Sequence, residues 1–451
     1  MKKVNIYIET FGCQMNVADT ERAATLLRSA GYMLVKRAEE ADVVLFNTCS
    51  VRARAEQKVF TRVGELNKTR QSMSRVVGIM GCVAQLEGEA LFNASKLVSL
   101  VVGTQATDRL PQLIERALAG ERNLIDLGGR QNGEDWNVST VERHSPYVAF
   151  VPIIEGCNKF CTYCIVPYSR GRERSRPASE IVNEVLRLKA AGYHEIHLIG
   201  QNVNSYRPRT GAGLELFSGA TFFSRLLRAV AATGVSRVKF TTSFPRDFHS
   251  DIVTAMDEHE NLCNWIHLPV QSGSDKILRL MKRGYNSADY LRRVEEIRSG
   301  RRRYSLTSDI IVGFPGENAE DFDLTVRLVE QCQYDSLYIF KYSVRRGAPA
   351  ANLADDVSIR EKKERFIIIE NLQKKIQARI HNSYVGKTVS VLFEGKSARS
   401  GNDMTGHTTC NKVINIKDVS GLDGAVHNVV VTDAKANSLY GVLARGRTDF
   451  M

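Results

Sequence analysis

The sequence has no apolar run that approaches the ~18–20 residues needed by a membrane-spanning helix. It also has no internal repeat and no low-complexity tract, and its first residues pass from two lysines directly into an alternating strand pattern. These absences argue against a membrane anchor and a signal peptide, so we expect a globular protein of the cytoplasm. Because 451 residues are too many for one ordinary core, we expect two or three domains.

Acidic residues are in the minority. The chain has 50 Asp and Glu against 62 Lys and Arg, which gives a formal net charge of +12. Such a surplus favours a polyanionic partner, nucleic acid first, although a merely soluble basic protein explains the charge equally well. The basic residues also form local clusters, at Arg170, Arg172, Arg174 and Arg176 and at residues 301–303.

The nine cysteines are an odd number, and a reducing compartment disfavours disulfides. Six of them fall into two groups, for which metal or cluster ligation is the better interpretation. The remaining three, Cys263, Cys332 and Cys410, stand alone, and we interpret each as a small buried apolar residue.

Strand and helix patterns divide the chain. Their alternation over residues 1–120 predicts a doubly wound parallel α/β sheet. Residues 121–145 are polar and without periodicity, so we interpret them as a linker. Six strand–helix units within residues 146–383 indicate a barrel or partial barrel with its site at the C-terminal face. The last part of this range, residues 359–383, is predicted to form a long basic connector helix. Short strands between Gly and Asn turns predict a small β-barrel over residues 384–451.

Cys13, Cys49 and Cys82 each follow the end of a predicted strand, in the stretches IETFGC, LFNTC and GIMGC. The carboxyl ends of parallel strands line one edge of an open sheet, so the three thiols can meet there. Core cysteines would also occur in mid-strand. A shared metal or cluster site is therefore the favoured hypothesis.

Four neighbours of these cysteines fit that hypothesis. Gly12 and Gly81 would let backbone amides approach an anionic cluster. Asn16 and Asn47 are either hydrogen-bond donors to the site or helix caps.

The second group, Cys157, Cys161 and Cys164, has the spacing C-x3-C-x2-C on one loop. A structural zinc site needs four ligands, and the loop has no suitable fourth. A thioredoxin-like C-x2-C pair would leave Cys157 without a role. A four-iron cluster held by three cysteines keeps one iron open to an exogenous ligand, which the amino and carboxylate groups of S-adenosylmethionine can provide.

In its C-x3-C-x2-C motif the sequence resembles the radical S-adenosylmethionine superfamily, whose hallmark is this motif on a partial (β/α)6 barrel. Together with the other two predicted domains it resembles the methylthiotransferase family, and the residues after Cys49 resemble its isopentenyladenosine branch. The C-terminal barrel resembles the TRAM domain, an RNA-binding module with an OB-like fold. The matching stretches are FGCQMN, NTCSVR, GCVAQ, IEGCNKFCTYCIVPYSRG, GQNVNSY, LPVQSGS and IVGFPGE.

The resemblance implies a reaction and its cofactors. Cys13, Cys49 and Cys82 would hold an auxiliary [4Fe–4S] cluster, and the C-x3-C-x2-C cysteines would hold the radical-generating one. One S-adenosylmethionine would methylate a sulfur at the auxiliary cluster, and a second would be cleaved to a radical that removes hydrogen from C2 of an adenine. The substrate would be N6-isopentenyladenosine 3′ of a tRNA anticodon, which becomes 2-methylthio-N6-isopentenyladenosine.

The resemblance also implies site residues and partners. Tyr163 would pack near the adenine of the cofactor, and Gln201 and Asn202 would contact its methionyl end. Ser272 and Asp309 would bind ribose or amino groups, although capping or turn roles are equally good explanations. The four arginines 170, 172, 174 and 176 would face RNA phosphates or the methionine carboxylate, or form a solvated loop. Expected partners are the tRNA anticodon loop, a flavodoxin- or ferredoxin-like electron donor and an iron–sulfur or sulfur carrier, with a monomeric chain and no membrane.

Other functions stay open. Related branches modify threonylcarbamoyladenosine in tRNA or an aspartate of a ribosomal protein. A non-catalytic RNA-binding protein with structural zinc is a further alternative. So is a radical enzyme that does not use Cys13, Cys49 and Cys82.

Overall fold

The structure is a computed structural model of the chain, and it describes residues 4–50, 53–67, 75–129, 143–397, 401–417 and 419–444. Three units follow one another: an α/β sheet domain, an open barrel of parallel strands and a small closed barrel. Over the described ranges, no helix combines the length and apolarity needed to cross a membrane.

The first unit is a six-stranded, all-parallel sheet with the strand order β2-β1-β3-β4-β5-β6. The middle strands are buried on both faces, because separate apolar clusters pack against each side. This confirms the predicted doubly wound sheet. Its strands are β1 Asn5–Phe11, β2 Met33–Leu34, β3 Val43–Thr48, β4 Val76–Gly81, β5 Val98–Val102 and β6 Leu124–Asp126, and its helices are α1 Gln14–Ser29, α2 Ala53–Asn67, α3 Cys82–Glu87, α4 Ala90–Ala94 and α5 Leu110–Leu118.

The linker prediction was wrong at its start. Leu124–Asp126 pairs with β5 as the sixth strand of the sheet, and Leu124 belongs to the same apolar core. A three-residue strand shows no alternation that a sequence pattern could detect. Most of the remaining linker, residues 130–142, lies outside the described residues.

The second unit contains the six parallel strands predicted for the barrel. Strands β7, β10 and β11 form one sheet and β12, β13 and β14 another, and a parallel bridge between Val238 and Leu262 joins them. Strands β7 and β14 are the two edges, so the barrel is open on one side. The strands of this unit are β7 Val148–Pro152, β8 Ile154–Glu155, β9 Arg174–Ser175, β10 Glu195–Ile199, β11 Arg237–Phe240, β12 Trp265–His267, β13 Ser305–Val312 and β14 Ser336–Lys341.

Helices cover the outer face of these strands. They are α6 Val166–Arg170, α7 Ala178–Ala190, α8 Phe222–Ala232, α9 Asp251–Glu258, α10 Asp275–Leu280, α11 Ser287–Arg298, α12 Ala319–Cys332 and α13 Ile359–Asn382. Ile196 and Leu198 of β10 belong to the core that these helices complete, whereas the alternate residues Glu195 and His197 face the barrel interior. The inner face of β10 is therefore polar.

The third unit is a closed five-stranded barrel with the order β15-β16-β17-β19-β18. Strands β17 and β19 are parallel and the other pairs antiparallel. The predicted small OB-like barrel is confirmed, as is the connector helix, which is α13. The strands are β15 Thr388–Lys396, β16 Met404–Thr408, β17 Val413–Ile416, β18 Val426–Ala434 and β19 Leu439–Leu443.

A turn of this small barrel closes the N-terminal end, or floor, of the open barrel. Two interior cations of β11 reach it: Arg237 Nη2 donates to the His407 carbonyl over 3.0 Å, and Lys239 Nζ donates to Asn411 Oδ1 over 3.1 Å. Glu195 lies 3.0 Å from Lys239 Nζ and carries the balancing negative charge. The two barrels are thus joined through buried charges.

The three isolated cysteines are buried, as predicted. Cys332 lies in the core of the open barrel and Cys410 in that of the small barrel. Cys263 is buried beside Arg237, and burial raises the pKa of its thiol.

Candidate active site with two sets of three cysteines

The structure brings Cys13, Cys49 and Cys82 together at the carboxyl edge of the sheet. They follow β1, β3 and β4, which are neighbours in the strand order. A hydrogen bond with Cys49 lowers the pKa of the Cys13 thiol to about 6. Burial raises the pKa of Cys82, and the nearby guanidinium of Arg170 opposes this effect.

Two glycines permit this close approach. A Cβ atom on Gly12 would lie 2.6 Å from the Cβ of Cys49, and one on Gly81 would lie 2.3 Å from Asn47 Oδ1. Both glycines have positive φ angles, which side-chain-bearing residues rarely adopt. The backbone can therefore pack closely against Cys49 and Asn47 at these two positions.

Asn16 and Asn47 are buried near the thiols and are joined by two hydrogen bonds. Asn16 Nδ2 donates to Asn47 Oδ1 over 3.1 Å, and Asn47 Nδ2 donates to the Asn16 carbonyl over 2.8 Å. The Cys13 thiol donates to Asn16 Oδ1 over 3.2 Å, and Asn16 also caps the start of α1. The two asparagines thus connect α1 to the carboxyl edge of the sheet. The expected helix-capping role is observed for Asn16.

Cys157, Cys161 and Cys164 lie on the loop between β8 and α6, at the C-terminal end of the open barrel. Burial raises the pKa of Cys157 and raises that of Cys164 to about 12. Two side-chain donors point at sulfur: Asn202 Nδ2 lies 3.1 Å from Cys157 Sγ, and Arg283 Nη1 lies 3.4 Å from Cys161 Sγ. Such donors stabilise thiolates, the form in which cysteine ligates iron.

Arg283 is a site residue that the sequence did not reveal. Its Nη2 donates to the Pro269 carbonyl over 2.7 Å, its Nε donates to the Tyr285 hydroxyl over 2.8 Å, and its guanidinium lies 4.5 Å from the ring centre of Phe244. It is 122 residues from Cys161 in the chain, so no spacing pattern connects the two.

Three buried polar atoms lie at the carboxyl ends of β10 and β11. These atoms, Gln201 Oε1, Thr241 Oγ1 and Ser243 Oγ, have no hydrogen-bond partner within the described ranges. Buried polar atoms need a hydrogen-bond partner, which a polar ligand or an ordered water provides. Together with the two donors to sulfur, they fit the amino, carboxylate and hydroxyl groups of S-adenosylmethionine.

Two other candidate cofactor residues lie close to this region. The Tyr163 hydroxyl accepts a hydrogen bond from Arg283 over 3.2 Å, and its ring packs against the apolar cluster that includes Phe314. Asp309 Oδ1 lies 3.6 Å from His267 Nε2 inside the barrel.

Ser272 does not fit a cofactor role. It is fully buried, and its hydroxyl contacts Thr325 Oγ1 at 3.3 Å and accepts from the Ser274 amide at 3.2 Å. The turn role is therefore the better explanation for Ser272, and the cofactor prediction is corrected.

The arginine cluster does not form one RNA-facing surface. Arg170 and Arg176 are buried, with Arg170 paired to Asp19 and Arg176 to Glu184, so neither can contact RNA phosphates in this conformation. Arg174 lies 3.6 Å from Glu155 and is partly exposed, while Arg172 is exposed. The RNA-contact prediction is wrong for the two buried arginines and stays a prediction for the two others. The four arginines occur at every second position, and this regular spacing in the sequence does not indicate which of them are buried.

The spacing of the possible metal ligands differs between a single-ion site and a cluster site. In the described part of the chain, no three His, Cys, Asp or Glu side chains are gathered around one point as ligands of one metal. In an iron–sulfur cluster each thiolate binds a different iron, so the thiols must surround a larger shared space.

Three family models match the chain in order. They are uncharacterized protein family UPF0004 over residues 5–103, the radical SAM superfamily over residues 151–329 and the TRAM domain over residues 382–444. The first contains Cys13, Cys49 and Cys82, and the second contains the C-x3-C-x2-C motif.

Curated relatives cover nearly the whole chain. The tRNA-2-methylthio-N(6)-dimethylallyladenosine synthase of Solibacter usitatus is 44% identical over 441 residues, which are 96% of this chain and 97% of that protein. The chain belongs to this synthase family. The synthases of Koribacter versatilis and Erwinia tasmaniensis are 41% and 40% identical, over 97% and 98% of this chain and 97% and 92% of theirs.

Solved structures support the fold of this synthase-family member. The radical S-adenosylmethionine methyltransferase TsrM of Kitasatospora setae matches with a TM-score of 0.56 at 13% identity, over 88% of this chain and 80% of that one. A second TsrM structure matches with a TM-score of 0.55 at 13% identity, over 77% of this chain and 74% of that one. Membership of the radical SAM superfamily brings a [4Fe–4S] cluster and S-adenosylmethionine to the site.

Proposed function

We propose that this chain is a tRNA methylthiotransferase that converts N6-isopentenyladenosine 3′ of the anticodon to 2-methylthio-N6-isopentenyladenosine. It would carry two [4Fe–4S] clusters and use two S-adenosylmethionine molecules per turnover. The observation that carries the proposal is the presence of two three-thiol sites in one chain whose relatives, identical at 40–44%, are synthases of this nucleoside.

The substrate explains the need for radical chemistry. The C2–H bond of adenine is neither acidic nor polarised, so general-base catalysis cannot activate it. When bound, the cluster and S-adenosylmethionine supply a carbon radical that can remove this hydrogen. The interior of the open barrel would provide the space in which such a radical is kept from other partners.

Residues of this chain would bind the radical-generating cluster and S-adenosylmethionine and orient them. Cys157, Cys161 and Cys164 would hold the radical-generating cluster and leave its fourth iron open to S-adenosylmethionine. Asn202 and Arg283 hold the first two thiolates by N–H donation. The unpartnered atoms of Gln201, Thr241 and Ser243 would bind polar groups of S-adenosylmethionine.

The auxiliary site would present the methylthio group. Cys13, Cys49 and Cys82 would hold the second cluster, and Gly12 and Gly81 allow the backbone to pack closely beside Cys49 and Asn47.

The partners follow from the substrate and the chemistry. An anticodon-loop base is unpaired, so turning it into the barrel costs little compared with a base in a duplex. The TRAM barrel would bind the RNA near by. A flavodoxin- or ferredoxin-like protein would deliver electrons, and an iron–sulfur or sulfur carrier would replace the consumed sulfur. We propose a monomer that acts in the cytoplasm, where tRNA is.

Nucleoside mass spectrometry on total tRNA tests the proposal. A strain without this gene should lose 2-methylthio-N6-isopentenyladenosine and accumulate N6-isopentenyladenosine. The wild-type gene and Cys332→Ala, a buried cysteine outside both sites, should restore the product, whereas Cys82→Ala and Cys161→Ala should not.

Other outcomes identify the alternatives. An unchanged level of the nucleoside in the deletion strain would overturn the substrate assignment. Loss of the methylthio group from threonylcarbamoyladenosine or from a ribosomal protein would then identify the related branch. If Cys82→Ala restored the product, the auxiliary site would have no part in the reaction.

A further inference from the structure

A cavity of about 460 Å³ lies where the open barrel, α13 and the small barrel meet. Its walls are the edge strand β14, one face of α13 and the turn between β16 and β17. The volume falls within the roughly 300–1,000 Å³ that is typical of small-ligand sites. None of the six cysteines of the two thiol sites lines this cavity, so it is separate from the cluster sites.

Aromatic side chains form the barrel side of the cavity. Tyr338 and Phe340 are alternate residues of β14, so they share one face of the strand, and they are 48% and 44% exposed. The Tyr338 ring makes an edge contact with His267 at 5.8 Å between ring centres, and His267 stacks on Trp265 at 6.3 Å. The two exposed rings thus continue a row of buried rings, and exposed rings of this kind are where unpaired bases stack.

The charged side chains in the wall are paired with one another. Lys374 Nζ lies 2.8 Å from Glu370 Oε2, and Lys412 Nζ lies 2.5 Å from Asp335 Oδ1. Of the described residues that line the cavity, these four are the Lys, Arg, Asp and Glu residues. A phosphate or carboxylate would therefore have to break an ion pair to bind here, whereas a neutral ring system would not.

One buried acceptor in the wall has no partner. Gln373 of α13 is 5% exposed, and its Nε2 donates to the Tyr334 carbonyl over 2.9 Å, which fixes the orientation of the amide. Its Oε1 has no hydrogen-bond partner in any range that the structure describes. A buried acceptor needs a donor, and the exocyclic amino group of adenine, guanine or cytosine can provide it.

We propose that this cavity is a subsite for one unpaired base of the tRNA anticodon loop, a base other than the adenosine that reacts. The base stacks on the exposed rings of Tyr338 and Phe340, and its amino group donates to Gln373 Oε1. The cavity lies at the open side of the radical SAM barrel and borders the TRAM barrel, so a loop held there spans both units. The inference rests on the proposed function, from which it takes the tRNA substrate.

Binding of anticodon stem–loops to full-length, iron-loaded protein tests the stacking. The reference RNA carries N6-isopentenyladenosine, and in a series of RNAs one other loop nucleotide at a time is replaced by an abasic nucleotide. One abasic RNA should bind the parent protein about tenfold more weakly than the reference RNA does, because it loses the stacked base. The protein with Tyr338→Leu and Phe340→Leu should bind the reference RNA equally weakly and lose little more with that abasic RNA.

The role of Gln373 is tested at the same nucleotide. Adenine and purine at this position differ only by the amino group. The parent protein should bind the adenine RNA about threefold to tenfold more tightly, the usual net effect of one hydrogen bond. The Gln373→Met protein should bind both RNAs equally, and equal binding by the parent protein would overturn the assignment of Gln373.

A matched control separates the subsite from general effects on RNA binding. Tyr168 is also 48% exposed, but it lies on α6 and does not line the cavity. Tyr168→Leu should leave the tenfold effect of the abasic nucleotide unchanged. Loss of structure would weaken the binding of every RNA by a common factor and would also leave this effect in place.

The remaining outcomes distinguish the two proposals. Equal abasic effects in the parent and the Tyr338→Leu, Phe340→Leu protein at every position would overturn the inference, while the substrate assignment stands. If removal of the two rings instead cancelled the effect of removing the reacting base, the cavity would hold that adenosine and the separate subsite would be overturned. No binding of the isopentenylated RNA to the parent protein would overturn the proposed function and the inference together.

Discussion

Arg283→Gln should destabilise the iron-loaded protein much more than the apo-protein. Arg283 is buried, and among the described residues it pairs with hydroxyl, carbonyl and thiol groups rather than with a carboxylate. In the apo-protein, the substitution loses hydrogen bonds from a charged donor, about 1.5–3 kcal/mol each, and removes the desolvation cost of a buried unpaired charge, which is several kcal/mol. These effects offset each other, so the free energy of unfolding should change by less than about 2 kcal/mol.

With iron bound, the balance is different. A thiolate 3.4 Å from the guanidinium attracts it by about 5 kcal/mol at an effective dielectric constant of 20. Because the negative charge is shared over the whole cluster, this figure is an upper bound. The loaded protein should therefore lose up to about 5 kcal/mol more than the apo-protein does.

Anaerobic urea unfolding of apo and iron-loaded protein measures the difference. Arg228→Gln is the matched control, since Arg228 is equally buried but pairs with Asp251 and Glu258, away from the cysteines, and it should destabilise both forms by the same amount. If Arg283→Gln also changed both forms equally, Arg283 would have no electrostatic coupling to the cluster thiolates.

Three further perturbations have defined outcomes. Burial lowers the pKa of His381 below its usual 6.5, so the folded state binds fewer protons than the unfolded chain; stability should fall as the pH decreases below about 6.5, and His381→Gln should remove that dependence in pH-dependent urea unfolding. Gly12→Ala places a Cβ against Cys49 and should lower iron per chain towards the content of one cluster, whereas Gly31→Ala, with a positive φ and no contact, should not. Lys239→Met should cost about 3 kcal/mol in unfolding experiments because it breaks a buried ion pair; a loss below 1 kcal/mol would contradict this assignment.

Strand runs and cysteine positions were predictable because each has a strong local cause. The six barrel strands are apolar runs bounded by polar ends, and Cys13, Cys49 and Cys82 stand directly after strands that lie side by side in the sheet. The sequence alone therefore predicts that the three thiols lie at one edge of the sheet, since parallel strands align their carboxyl ends.

The rest of the site depends on distance in space rather than on pattern. Arg283 reaches Cys161 through the barrel, and no periodicity connects them. Arg170 and Arg172 are two residues apart and have opposite surroundings, one buried beside Asp19 and one exposed, because a helix end and a turn separate them. A cluster of charged residues in a sequence shows only that the charges are close along the chain. Tertiary packing decides which of these residues face solvent.

The turn between β16 and β17 has a consequence for how this protein can be divided. The Asn411 amide oxygen in this turn and the His407 carbonyl near the end of β16 accept hydrogen bonds from Lys239 and Arg237 of the barrel floor. A chain shortened before β15 would leave these cations and Glu195 facing water without those acceptors. The TRAM barrel is therefore also the base of the open barrel, and a chimaera that exchanges the TRAM barrel must keep these two acceptors if the open barrel is to stay intact.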